Sequence, residues 1–575
     1  MPRCRWAIRI GTGDSWKEIY RLVNRLLVSG LPVSWVSKAS GGERPSSLDM
    51  GAFVVDGRAV GAVRDLGFAG GLQALDPAFL TGVRLDPLSR PRVVVYGEGG
   101  APYHHFSVLS SLGFDVTIID AAAILSGRLT GIDVLIVPGG GWEAAVGQLR
   151  PLGERGASII VDFVKDGGLY MGSCAGGYGA AVGSEMLRAC CPAKSVLELI
   201  NARIWTEGPR WGGMKSPGIG VTQVTNECPS HPVMFGLPEM FDMVHYNGPY
   251  FTLEEGLVEG ASRPIGLMRI AGLTARFSPP QGPGSVVGLT DIGISEGVYT
   301  GITGELGKGW VFITGSHPEF GSNLTLTDWS LPARTLANAV FWQSIRGLDS
   351  GSKKISRATP LNVGQGEGSA PPSVEGEGGQ ATLEVVSSIY SEICRLADDQ
   401  LLMSAGRPDW LNPEISRPMF GLPPEGVWRV SLSEALALLR DIKESVLQIQ
   451  VQLKALKALK ALKALPLSPG HHTSDGGVDV QGIFNDLRRM GQQALGQLEA
   501  ARSNWAITTE QLNAYADNPP GPGGGSGGGH RRNPYYLTVG SYLGAVGNVV
   551  NMSLLVGATL AKLELSFGLE RGYLS

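Results

Sequence analysis

The chain has 575 residues, of which 83 are glycine, roughly twice the ordinary share. Charged residues make up 17%, and 48 basic against 52 acidic side chains leave a net charge of −4, without the basic excess of a nucleic-acid binder. The 43% hydrophobic content excludes wholesale disorder, and six cysteines are too few for a disulfide scaffold.

The first element expected is a strand at Ala7–Gly11, followed by a helical pattern to about Ser29 and strands at Pro32–Val36 and Gly51–Gly57. Residues 1–90 thus read as a βαβ-like half-domain that weakly echoes Arg92–Gly139, although any two βαβ units look alike. Residues 1–14 contain no apolar run of secretory length, and with few cysteines the chain reads as cytoplasmic. Continuous Val/Ile runs then recur at Arg92–Gly99, Asp115–Asp120, Asp133–Gly141, Ala157–Gly168 and Trp310–Glu319. Unbroken rather than alternating runs suit strands buried on both faces of a parallel sheet, and their spacing suggests βα units. The expected fold class over 91–347 is therefore α/β, with a doubly wound, flavodoxin-like parallel sheet.

A flexible linker is expected over 348–382, where GQGEGSAPPSVEGEGGQ cannot bury apolar surface. A helical bundle or coiled region comes next over 383–518, with a capping box at Ser431 and Glu434. Its leucines at Leu453–Leu465 recur every three residues, so their stripe wraps around a helix instead of holding one face. A Gly/Pro-rich linker spans 519–534, and 535–575 reads as apolar helical segments. Pro534–Ala561 carries no charge and contains Gly540 and Gly544 in a GxxxG, but Asn548 and Asn551 interrupt it. A buried bundle helix or hairpin is the first reading, and a C-terminal membrane anchor the alternative. The C-terminal helices are candidates for homo-oligomer contacts.

The sharpest local signal is LYMGSCAGGYGAA at Leu169–Ala181. A strand-like lead-in, Gly172-Ser173-Cys174-Ala175-Gly176 and then small residues make a nucleophile elbow with cysteine in the serine's place. Such a turn lifts the thiol above the sheet at a helix start, which favours the reactive thiolate. A buried structural cysteine in a tight turn is the competing reading. The second signal is His317 and Glu319, just after a strand: an imidazole oriented by a carboxylate can take a thiol proton. The third is Gly139, Gly140 and Gly141, whose backbone N–H groups can face a developing oxyanion beside that of Ala175, though a plain tight turn explains them equally. His104 and His105 read as helix-start residues, with pocket lining as the alternative. No Cys/His cluster has metal-site spacing. No cofactor motif is found: Gly307 and Lys308 are followed by Gly309, where a P-loop needs Ser or Thr.

In its order, strand–PGG, GxCxG and HPE, the chain resembles the class I glutamine amidotransferase-like superfamily over about residues 91–345. Val93–Ala101, Leu135–Gly141, Phe163–Tyr178 and His245–Phe251 are most similar to the biotin–protein ligase N-terminal domain family. The resemblance implies Cys174 as nucleophile, His317 as general base, Glu319 as its orienting acid and Gly140 and Ala175 as oxyanion donors. It also implies that Tyr246, Asn247 and Tyr250 line the substrate pocket, although packing alone accounts for them too, and Tyr178 beside the elbow is counted with the binding residues. Glutamine-using members carry a glutamine where Tyr178 stands, and neither a synthetase domain nor a biotinyl-adenylate loop is found after it. Two functions remain open. One is a cysteine-dependent hydrolase or amidotransferase-like enzyme acting on a small-molecule amide or acyl substrate. The other is a non-catalytic binding module of the same fold, whose helical tail mediates assembly or membrane attachment.

Overall fold

A computed structural model describes residues 5–349 apart from 9–14, 39–48, 66–71, 76–79, 81, 140–144, 183–186, 188–190, 192–194, 205–218, 247, 255, 257, 275–285, 288–296 and 321–329. Beyond 349 it describes 382–388, 391, 447, 451, 485, 487–496, 498–499, 549, 552 and 555. The chain divides into two compact units, Met1–Ala358 and Thr359–Ser575.

The first unit is mixed α/β with two sheets. The smaller sheet is built from β1 (Arg5–Ile8), β2 (Val33–Lys38), β3 (Phe53–Asp56), β4 (Leu72–Leu75) and β5 (Arg84–Pro87), with helices α1 (Ser15–Val28) and α2 (Gly57–Asp65). Its order is β4-β1-β3-β2-β5, and every pairing is antiparallel. The expected parallel half-domain over 1–90 is therefore corrected. β1 and β2 do run the same way through α1, but β3 inserts between them, as in a split, ferredoxin-like βαβ. Sequence periodicity reports each strand's burial and not its neighbour, so β3 was legible as a strand but its place between β1 and β2 was not.

Aromatic side chains fix this layer to the last helix of the unit, α7 (Arg334–Asp349). Tyr20, Phe53 and Trp35 lie 5.5, 5.6 and 6.3 Å from Phe341, centroid to centroid. Tyr20 Oη donates to Asn338 Oδ1 and accepts from Arg334 Nε at 3.3 Å. Asn338 Nδ2 in turn donates to the carbonyls of Val233 and Phe235, both at 3.0 Å.

Among the described residues, the larger sheet has twelve strands. Its parallel half comprises β6 (Arg92–Tyr96), β7 (Asp115–Ile119), β8 (Val134–Val137), β9 (Leu169–Ser173) and, after the intervening strands, β17 (Gly309–Thr314). These pair as β7-β6-β8-β9-β17. Helices α3 (Pro102–Ser111), α4 (Ala121–Leu125), α5 (Val146–Lys165) and α6 (Ala175–Ala180) make the connections. β8 and β9 are buried along their whole length, as unbroken apolar runs require.

The sheet is not parallel throughout, so the expectation of parallel pairing holds only for this half. β16 (Tyr299–Leu306) pairs antiparallel with β17, and β14 (Ile265–Thr274), β11 (Ile219–Asn226) and β12 (Met240–Tyr246) continue antiparallel to the edge. Short β10 (Ala202–Ile204), β13 (Phe251–Leu253) and β15 (Val286–Val287) pair at its side.

One expected strand is a helix. Ala157–Lys165, the start of the run read as extended, forms the second half of α5, which kinks at Gly153 near Pro151. Ala157, Ile160 and Val164 are its buried residues there, at helical spacing. The aliphatic residues between them blurred that period, and the strand proper begins at Leu169.

In the second unit, residues 382–388 and 487–496 are helical. Leu487, Met490, Ala494 and Leu498 are buried at steps of three and four, the stripe of an amphipathic helix. The capping box at Ser431, the leucine repeat and most of 535–561 lie outside the described residues. Among the described residues, no helix is long and apolar enough to cross a membrane.

Candidate active site

Cys174 sits at the carboxyl end of β9, where the chain turns sharply into α6. Its φ of 49° and ψ of −107° are unusual for a non-glycine residue, the strained backbone of an elbow. A neighbouring strand and the following helix fix it: Cys174 N–H donates to Thr314 O of β17 at 2.8 Å, and Tyr178 N–H of α6 returns to Cys174 O at 3.0 Å. The turn leaves no room for side chains. A Cβ on Gly176 would lie 2.0 Å from Val137 O.

Three residues past the end of β17, His317 N–H donates to Val244 O of β12 at 2.7 Å, so parallel and antiparallel halves both position the ring. His317 Nδ1 and Glu319 Oε1 are 2.8 Å apart, and both side chains are buried. The ring stacks on Phe320 with centroids 4.2 Å apart and planes at 4°. Gly139 lies between Cys174 and His317: a Cβ there would sit 2.6 Å from His317 Cε1 and 2.9 Å from Cys174 Cβ. Only a glycine lets the imidazole and the thiol come so close.

The electrostatics follow from burial and pairing. Burial pushes the His317 imidazole down. The Glu319 carboxylate and Cys174, acting through charge and hydrogen bonds, outweigh it and raise the ring to about 10. Burial works against the Glu319 charge as well, but His105, His317 and the hydrogen bonds hold that carboxyl down at about 2. His105 itself is lowered by its own burial, so His317 is the cation of the group.

Sequence reasoning missed Ser173 and His245 as participants and had pocket lining by His105 only as the alternative. Ser173 Oγ donates to Glu319 Oε1 at 3.0 Å and lies 3.1 Å from His105 Nε2. His105 is in the first turn of α3, as its helix-start reading had it, yet its ring reaches the site. His245 is fully buried, with Nδ1 3.1 Å from Ser316 Oγ. Burial and the His317 charge push it down to about 3. These residues stand far from Cys174 or Glu319 in sequence, or beside them without a motif of their own, so no spacing signalled them.

Of the other expected residues, Ala175 and Tyr178 are buried in α6. Gly140, Gly141 and Asn247 lie outside the described residues. Tyr246 ends β12. No group of three potential metal ligands occurs among the described residues. A cavity of about 660 Å3 lined by Trp35, Lys38, Arg84, Lys308 and Trp342 lies elsewhere, and none of the described site residues lines it.

Residues 103–188 match the family model described as the biotin-protein ligase N-terminal domain. The resemblance read from the sequence holds over that segment, which contains Gly139, Cys174, Ala175 and Tyr178. His317 and Glu319 fall outside it. No curated protein matches the chain significantly. Among solved structures, PurLQS from Thermotoga maritima is 17% identical, with 45% of this chain and 99% of that one covered and a TM-score of 0.28. A protein described as ThuA-like from Bacteroides uniformis is 14% identical over 44% and 91%, with a TM-score of 0.26.

Proposed function

We propose that the chain is a cysteine-dependent hydrolase or amidotransferase-like enzyme acting on an amide or acyl bond, on a doubly wound, flavodoxin-like core. The observation that carries this reading is the 2.8 Å His317–Glu319 contact, with Cys174 acting on the same ring from a strained elbow. Nδ1 is committed to Glu319, which leaves Nε2 as the ring nitrogen for the thiol.

In this mechanism the proton of Cys174 already rests on His317, and the thiolate Sγ attacks the substrate carbonyl carbon. The Ala175 N–H, with that of Gly140, receives the oxyanion. Collapse expels the amine or other leaving group, which takes the proton from His317, and leaves a thioester on Cys174. Water, deprotonated by the same imidazole, then releases the acid. Glu319 keeps the ring oriented and balances its charge in a site where an unpaired imidazolium would be costly.

The second reading, a non-catalytic binding module, is favoured by the burial of Cys174, 8% exposed, and by Tyr178 in the glutamine position. Alkylation distinguishes them. Iodoacetamide at pH 6.5, followed by peptide mapping, should label Cys174 at least about tenfold faster in the native chain than in His317→Ala. Equal rates would favour the binding module.

A further inference from the structure

Glu319 faces two imidazoles, and the hydrogen bonds assign them different tasks. A hydroxyl has one proton to give. Ser173 gives its proton to Glu319 Oε1, at 3.0 Å, so toward His105 Nε2, at 3.1 Å, it can only accept. Nε2 of His105 therefore carries that ring's proton, with Glu319 Oε2 3.6 Å away. Its Nδ1 is buried and has no hydrogen-bond partner among the described residues. Protonating that nitrogen would bury a second donor with nothing to receive it, so the geometry itself holds His105 neutral. The chain of donors reads His105 Nε2–H to Ser173 Oγ–H to Glu319 Oε1, which also receives His317 Nδ1–H.

We propose that His105 and Ser173 are positioning residues that hold the Glu319 carboxylate ionised and facing His317 Nδ1. The proposal rests on the reading of Cys174 and His317 as a working pair. The neutral ring supplies direction without charge: a cationic His105 would compete with His317 for the Glu319 carboxylate. His245, the other imidazole acting on His317, belongs to a separate network with Ser316, Thr300 and Thr222. Its Nδ1 is directed to Ser316 instead of Glu319, so the orienting role falls to His105 and Ser173.

The test uses the full chain with 13C-labelled histidine, and His317→Ala assigns the His317 signal. Two quantities are read: the pH midpoint of the His317 ring by NMR, and the rate of Cys174 alkylation by iodoacetamide at pH 6.5. Ser173→Ala and His105→Leu should each lower the midpoint by about one unit and slow alkylation about tenfold, the effect of one charge-assisted hydrogen bond. His105→Gln keeps an N–H donor and should return alkylation to within about threefold of the native rate. Thermal melts identify variants that fold; if Ser173→Ala does not, the two His105 variants decide. An unmoved midpoint in the folded variants, with His317→Ala still slow, overturns this proposal alone. An unchanged rate in His317→Ala overturns the pair reading and this proposal together.

Discussion

The two sheets of the first unit are held by opposite means. The smaller one meets its neighbour through large side chains: Tyr20, Trp35 and Phe53 against Phe235 and Phe341. The carboxyl end of the larger sheet is held by backbone against backbone, with Gly176 on Val137 and Gly315 on Pro249. Aromatic contacts bury much area but can repack when one member shrinks. Backbone contacts have no such freedom, because any added atom must displace a strand or a loop. The difference suits the tasks. A layer needs area, whereas a thiol and an imidazole must be placed to within a fraction of an ångström.

That contrast can be broken most severely at Gly315. A Cβ there would lie 1.6 Å from Pro249 O, so Gly315→Ala should cost more than about 4 kcal/mol or abolish folding. Urea denaturation measures it, and a loss below about 1 kcal/mol would show that the loop yields. Phe341→Ala probes the aromatic side. It should cost about 3–5 kcal/mol, yet leave Cys174 alkylation within about threefold of native, since it removes no contact of the site. A collapse of alkylation would mean that the smaller sheet also positions the site.

The gentlest probe is acid. His245 is held down at about 3, so between pH 5.5 and 4 the unfolded chain takes up a proton there that the folded chain refuses, and the lowered His105 ring and Glu319 carboxyl act in the same direction. Stability then falls with pH, by up to about 1.4 kcal/mol per unit for each group. His317, raised instead, is protonated in both states across that window and drops out. Residues 1–103 contain no histidine. Amide exchange should therefore show the acid loss around β9 and β17 before α1 and β2. A simultaneous loss in both sheets would show that they open together.

How much of this was legible depended on distance along the chain. The Gly172–Gly176 elbow and the His317/Glu319 step are local patterns, and the fold makes the two neighbours across adjacent strands. The strand at Asp133–Gly141 was legible because burial on both faces leaves an unbroken apolar run. Ala157–Lys165 was misread because α5 has partly buried aliphatics beside its core stripe, which hides the helical period.

The sequence by itself determined which residues are candidates for reactive chemistry and which segments are α/β, because those properties reside in side chains and their near neighbours. Only the tertiary structure decided that a strand inserts between β1 and β2, and that the large sheet turns antiparallel beyond β17. Only it brought Ser173 and His105 to Glu319, across separations of 146 and 214 positions. Pairing and proton direction are set by contacts between distant segments, and neither leaves a period or a motif in the residues that make them.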